Sequence, residues 1–179
     1  TLSLHDALPI YTYFIFKSLM DSLNIEIQLI SIFSEVNLRT YYYGESLKKK
    51  DADFSCIQTS PDDYDALRTP IETAVNNING RLIKRVQDFR WNMDATVLTI
   101  ELVPYNRIPP HTDKVVQLLN KAIFDYIVNY TSYEWFLIVS PELARVPEKR
   151  NDMLMRDVVK FIGMISGMVR RRATDLAGI

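Results

Sequence analysis

The chain is poor in the residues that build disulfides, metal sites and nucleophilic catalytic centres. Among its 179 residues there are one cysteine, two histidines and five glycines. The single cysteine, Cys56, excludes a disulfide within the chain, and so few cysteine and histidine side chains argue against a zinc site. Cys56 lies near the apolar residues Phe54 and Ile57 in the sequence, so we expect it to be a small buried side chain.

Sequence signatures of catalysis and nucleotide binding are also missing. There is no glycine-rich phosphate loop, dinucleotide fingerprint or zinc-protease motif. His111 is the one histidine outside the first ten residues, and it follows two prolines at a predicted helix start, where a surface or capping role is expected. Carboxylates between Asp51 and Asp65 precede a helix, whose positive end accounts for them, although an acidic catalytic site there is a third hypothesis. The sequence therefore predicts no enzyme activity, cofactor or metal.

The charge of the chain is balanced. The formal net charge is -1, with 24% charged and 47% hydrophobic residues. This composition is typical of a globular domain and argues against a disordered chain or a generic polyanion binder. Lys17, Asp21 and Glu26 interrupt the apolar run over residues 11–33, which favours a soluble interior over a membrane-spanning helix.

The first ten residues, TLSLHDALPI, resemble a translated sequencing adapter. Such a segment has no selected structure and is set aside in reasoning about the fold. We therefore expect residues 1–19 to be a non-native or disordered leader. Residues 20–179, beginning at Met20, are expected to form a single helical domain.

Apolar residues recur at intervals of three and four in the first half of the chain, which predicts helices. The first predicted helix covers residues 23–38 and ends at the Tyr-Tyr-Tyr-Gly segment 41–44. Ser60 and Pro61 form a helix start, with the serine as N-cap and the proline in the first turn. We predict the second helix from Pro61 to Lys84, with a bend at Pro70 because proline removes an internal hydrogen bond.

The second half of the chain contains the longest periodic segment. Thr112 and Asp113 are predicted to cap a helix that continues towards Val139. Ser140-Pro141 is expected to open a short helical turn, and Pro147 is expected to begin the last helix.

A short β-rich segment interrupts this helical pattern. Residues 95–103 are rich in β-branched side chains and partly alternate, which is typical of a strand. Residues 91–94 would form the turn of a hairpin whose first strand covers residues 87–91. The predicted fold class is mainly α, a bundle of about four helices with a small β-hairpin or extended arm near residues 87–103.

Two groups of side chains are candidates for contacts with partners. A basic stripe at the end of the last helix is a candidate contact for a protein or for DNA. Neighbouring aromatic residues on the longest helix are candidates for a subunit interface. The lysine run 48–50 is expected to be a solvated loop tip. The basic stripe comprises Arg156, Lys160, Arg170, Arg171 and Arg172, and the aromatic group comprises Tyr133, Trp135 and Phe136.

The order of three segments resembles a known family. These are Ser31-Ile-Phe-Ser-Glu-Val36, then Thr40-Tyr-Tyr-Tyr-Gly44, then residues 53–63 leading into a helix. Together they resemble the head–tail connector (adaptor) proteins of tailed phages and prophages of Bacteroidales. The likeness runs from Ile27 to Arg172, and Pro70 departs from the uninterrupted helix that the family leads us to expect.

The resemblance implies a virion structural protein that forms rings between portal and tail. Its partners would be copies of itself and portal or tail proteins, with at most weak, non-specific DNA contact and no membrane. It would be assembled in the bacterial host cytoplasm. No functional residue of the family transfers to this chain. The alternative is a helical DNA-binding or regulatory protein that uses residues 48–50 or the terminal arginines.

Overall fold

The computed structural model describes residues 22–47, 57–105 and 112–166. Within these ranges the chain forms four α-helices and three β-strands, so the predicted mainly helical fold with a small β element is confirmed. The elements, in chain order, are β1 (Leu23–Gln28), α1 (Leu29–Leu47), a 3-10 turn (Pro61–Asp63), α2 (Tyr64–Leu82), β2 (Val86–Met93), β3 (Val97–Pro104), α3 (Thr112–Val139) and α4 (Pro141–Ile165). The expected leader, residues 1–19, lies outside the described residues.

The β element is a three-stranded antiparallel sheet in the order β1-β3-β2. The predicted hairpin forms, but its turn lies after Met93, at Asp94–Thr96, and not at residues 91–94. Pro104 ends β3, as expected from a residue without an amide hydrogen.

The prediction of a helix from Leu23 is wrong for the first six residues. Residues 23–28 form β1, whose side chains alternate strictly between buried and exposed. β1 pairs with β3 from Leu23 opposite Leu102 to Gln28 opposite Val97. A hydrogen bond of 2.8 Å from the Leu29 amide to the Thr96 carbonyl continues the ladder into the first residue of α1. The helix then runs past the predicted end at residues 41–44.

The predicted second helix is one continuous element through Pro70. At its start the Asp63 carboxylate accepts hydrogen bonds of 2.8 Å from both the backbone amide and the hydroxyl of Ser60, which confirms the predicted start. The predicted separation at Pro147 is wrong, because α4 runs without interruption from Pro141 to Ile165. The helix continues through that proline.

One face of the sheet packs on all four helices to form the main core. β3 is central, and its Leu98, Ile100 and Leu102 are fully buried. Buried residues of α1, α2, α3 and α4 complete the same apolar cluster, and the ring of Phe33 on α1 stacks on Tyr64 of α2 at 4.3 Å. The helices α2 and α4 both pack against α3, and each contacts α3 far more extensively than they contact each other.

Candidate functional site

A polar groove lies over α3, between α2 and α4. It opens because these outer helices touch each other so little, and its volume is about 520 Å³. Such a volume is in the range of small-ligand pockets, and seven of the nine lining residues carry a polar side chain. The lining residues are Asn76, Asn77, Gly80, Arg81, Tyr126, Tyr130, Asn151, Asp152 and Met155.

Asparagine side chains hold the walls of this groove in place. Asn129 of α3 is almost fully buried, and its amide nitrogen donates two hydrogen bonds of 2.8 Å to α4, one to the Pro147 carbonyl and one to Asn151 Oδ1. On the opposite wall, Trp91 Nε1 of β2 donates to Asn76 Oδ1 over 3.2 Å. The side-chain amides therefore have a structural role. The hydrogen bonds of Asn129 join α3 to α4, and that of Asn76 joins α2 to β2.

The two phenols of the groove keep their protons at neutral pH. Burial raises the pKa of Tyr126 above its ordinary value. Burial, followed by the nearby Glu134 carboxylate, raises the pKa of Tyr130 to about 12. Both side chains therefore act as neutral hydrogen-bonding groups. Asp152 is the one carboxylate among the described lining residues, and no group of three metal-ligating side chains occurs in the described ranges.

The solvent face of α1 is uncharged from Ile30 as far as Tyr42. We call it the α1 stripe, and all of its residues are exposed: Ile30, Ser31, Ser34, Leu38, Tyr41 and Tyr42. The exposed fractions are 58% for Ile30, 47% for Leu38 and 64% for Tyr42. Glu35 and Arg39 lie beside the stripe and pair with each other at 3.1 Å, and Glu45 lies one turn beyond Tyr41 at the end of the stripe. Solvent-facing helix surfaces usually carry charged side chains, so this composition is typical of a contact surface.

The predicted interface aromatics lie in a second, smaller core. Phe136 is fully buried there with Ile57, and its ring meets that of Tyr43 edge-on at 5.2 Å. Trp135 Nε1 donates a hydrogen bond of 2.7 Å to the Ile57 carbonyl. The fully buried Phe136 is thus satisfied within its own chain, whereas Tyr133 and Trp135 are half-buried. A subunit interface at these aromatics stays a prediction.

Next to this second core, two apolar residues at the end of α3 face outwards. Leu137 is 42% exposed and Ile138 is 77% exposed. The helix ends directly after them, at Val139.

The predicted basic residues are only partly within the described ranges. Arg156 and Lys160 are exposed on α4, and the Lys160 ammonium lies 5.5 Å from the centre of the Phe161 ring. The arginines 170–172, the lysines 48–50, Cys56 and His111 lie outside them, as do the carboxylates 51 and 53. Of the acidic group, Asp63 caps the 3-10 turn, while Asp62 and Asp65 are exposed.

Comparison of the chain with protein-family models, with curated proteins and with solved structures finds no match. A search of the described helices finds none with the length and apolar character needed to cross a bilayer.

Proposed function

We propose that this chain is a ring-forming head–tail connector (adaptor) subunit of a tailed phage, a virion structural protein that acts through protein–protein contacts. Its partners would be further copies of itself and portal or tail proteins, and it would be assembled in the bacterial host cytoplasm. The starting point is the resemblance of segments 31–36, 40–44 and 53–63 to connectors of Bacteroidales phages.

The observation that carries the proposal is the α1 stripe. Four large apolar or aromatic side chains there are between 43% and 64% exposed, without a charged residue among them. Burial of their exposed halves in an interface would contribute on the order of 4 kcal/mol, before the costs of association are counted. The rings of Tyr41 and Tyr42 already meet edge-on at 5.7 Å, which presents a wide aromatic surface with little rotamer freedom left to lose.

Mass photometry of the purified chain, alone and with portal rings, tests this proposal. We expect the wild-type chain to form oligomers or to bind the portal. The double variant Leu38→Glu/Tyr42→Glu should lose at least tenfold in that association, because it places two charges in the contact. The matched control is Ile83→Glu, which alters an equally exposed apolar residue after α2, 66% exposed, and should associate normally.

Two results would overturn the proposal. One is a wild-type chain that stays monomeric at all accessible concentrations and ignores portal rings. The other is a Leu38→Glu/Tyr42→Glu variant that is folded by circular dichroism and associates as well as the wild type.

The alternative is a DNA-binding or regulatory protein. It would use residues 48–50 or 170–172, which lie outside the described ranges, so no described observation favours it. Filter binding across a salt series separates the two functions. A regulator should prefer one DNA sequence, whereas a connector should show at most weak binding that disappears as salt rises.

A further inference from the structure

The outer face of α4 carries cations and exposed methionines in one line. We call this line the α4 stripe, and it comprises Lys149, Met153, Arg156, Lys160 and Met164. Its spacings of four, three, four and four residues place these side chains on one side of the helix, opposite the buried residues of α4. Met153 is 56% exposed and Met164 is 55% exposed. Solubility does not require these apolar side chains on a helix face that is otherwise charged.

The cations of the α4 stripe have no ion pairs within the described residues. The described ion pairs are Arg39–Glu35, Arg90–Asp88 and Lys121–Asp125. Lys149, Arg156 and Lys160 therefore have no carboxylate within 4.0 Å among the residues that the structure describes. Flexible methionines between unpaired cations form a surface that fits an acidic partner with small side chains between its charges.

The 3-10 turn and α2 present such a surface in the same chain. We call it the α2 stripe, and it comprises Asp62, Asp65, Thr69 and Glu72, all exposed and spaced by three, four and three residues. Asp62 and Asp65 lie at a helix start, where the helix dipole accounts for them. Glu72 lies more than two turns further along, so the dipole does not account for it. None of the three carboxylates has an ion pair within the described part of the chain.

The first four residues of the α4 stripe, Lys149 to Lys160, match the four residues of the α2 stripe when one stripe is reversed. From Lys149 to Lys160 the α4 stripe extends about 16 Å, and from Asp62 to Glu72 the α2 stripe extends about 15 Å, at 1.5 Å per residue. In an antiparallel arrangement Lys149 faces Glu72, Arg156 faces Asp65, and Lys160 faces Asp62. Met153 then faces Thr69, whose short side chain leaves room for it. The three charge pairs and the methionine contact fall into register together.

We propose that the α4 stripe of one copy packs antiparallel on the α2 stripe of the next copy. This inference rests on the proposed ring-forming function and adds a second contact between neighbouring copies to that of the α1 stripe. Because the two surfaces differ, the contact is heterologous, and a heterologous contact repeats from copy to copy until the ring closes. The ammonium and guanidinium groups meet carboxylates at an exposed seam, so association is weakened by salt.

Charge reversal on either stripe tests the contact. One variant is Arg156→Glu/Lys160→Glu, and the other is Asp62→Lys/Asp65→Lys. Each alone should lose at least tenfold in self-association by mass photometry, because acid would face acid or base would face base. An equimolar mixture should recover oligomers, since the altered α4 stripe of one variant then meets the altered α2 stripe of the other, and the two unaltered stripes also meet.

The control is Arg150→Glu, an exposed cation of α4 that lies about 100° around the helix from Lys149, off the stripe, and should leave assembly unchanged. Two folded single-stripe variants that assemble like the wild type would overturn this contact while leaving the proposed function standing. Failure of the mixture to recover oligomers would also overturn it. A wild-type chain that neither self-associates nor binds portal rings would overturn the proposed function itself, and this contact with it.

Discussion

The core beneath the sheet and the seam between α3 and α4 at the groove are held together by different forces. Beneath the sheet, Leu98, Ile100 and Leu102 belong to one apolar cluster to which every helix contributes, and its contacts are non-directional. At the seam, the buried amide of Asn129 donates to the Pro147 carbonyl and to Asn151. Apolar burial there is supplemented by bonds with fixed distances and directions. The first region gives most of the stability, and the second sets where α4 lies relative to α3.

The core should show the largest mutational effect in the chain. Ile100 is fully buried on the central strand and faces partners on both neighbouring strands and on the helices. We expect Ile100→Ala to lower the free energy of unfolding by about 2–5 kcal/mol, because it removes buried methyl groups and leaves a cavity. Urea unfolding followed by circular dichroism measures this. The adjacent Thr99→Ala, on the outer face of the same strand, should cost under about 1 kcal/mol.

Equal losses from Ile100→Ala and Thr99→Ala would contradict the assignment of the core to the inner face of the sheet. They would mean that both faces of β3 are buried to a similar extent.

The seam should show an intermediate effect. We expect Asn129→Ala to lower the free energy of unfolding by about 1–3 kcal/mol, because the Pro147 carbonyl and the Asn151 amide oxygen lose their donor in a partly buried place. Urea unfolding again supplies the measurement. Asn92→Ala is the matched control, since that residue is exposed on β2 and should change the free energy by no more than about 0.5 kcal/mol. A neutral Asn129→Ala would mean that the amide bonds do not hold the seam.

The core side of this comparison was largely predictable from the sequence. Helical periodicity placed α2 and α3, and the β-branched run placed β3, because each of these patterns lies within one continuous segment. β1 was missed because Ile25, Leu29 and Ile32 also fit a helical face. Its strand form depends on pairing with Leu102 and its neighbours, which lie more than seventy residues further along the chain.

The groove and the exposed stripes of α1, α2 and α4 were less predictable, for a physical reason. Asn76, Asn129 and Asn151 have no periodic signal, and they come together only when three helices pack. The basic residues Arg156 and Lys160 were identified from the sequence as candidates for a contact. Their exposed methionine neighbours were not, because the identity of a methionine does not tell which side of a helix is buried.

The smallest expected effect concerns the hairpin turn, where polar bonds act without burial. Asp94 Oδ1 accepts hydrogen bonds from the Thr96 amide at 2.6 Å and from the Val97 amide at 2.7 Å, and the Arg68 guanidinium donates to the Asp94 carbonyl. The two amide bonds, led by that from Thr96, lower the pKa of Asp94 below its ordinary value. A carboxylate with a lowered pKa stabilises the folded chain above its unfolded pKa of about 3.9, and this stabilisation is lost as the pH falls through the folded pKa.

Asp94→Asn removes the negative charge of the side chain but keeps one side-chain oxygen in the same place as a hydrogen-bond acceptor. The variant should therefore be slightly less stable than the wild type at pH 7, and the gap should shrink below about pH 4 as the wild-type carboxylate takes up its proton. Thermal unfolding from pH 7 to pH 3 measures this gap, and Glu148→Gln, which alters an exposed carboxylate of α4, is the control. A gap that stays constant as the pH falls would mean that the turn depends on the shape of the Asp94 side chain and not on its charge. In that case the hairpin turn, like the seam, would be held by directional hydrogen bonds, and the negative charge of Asp94 would add nothing to them.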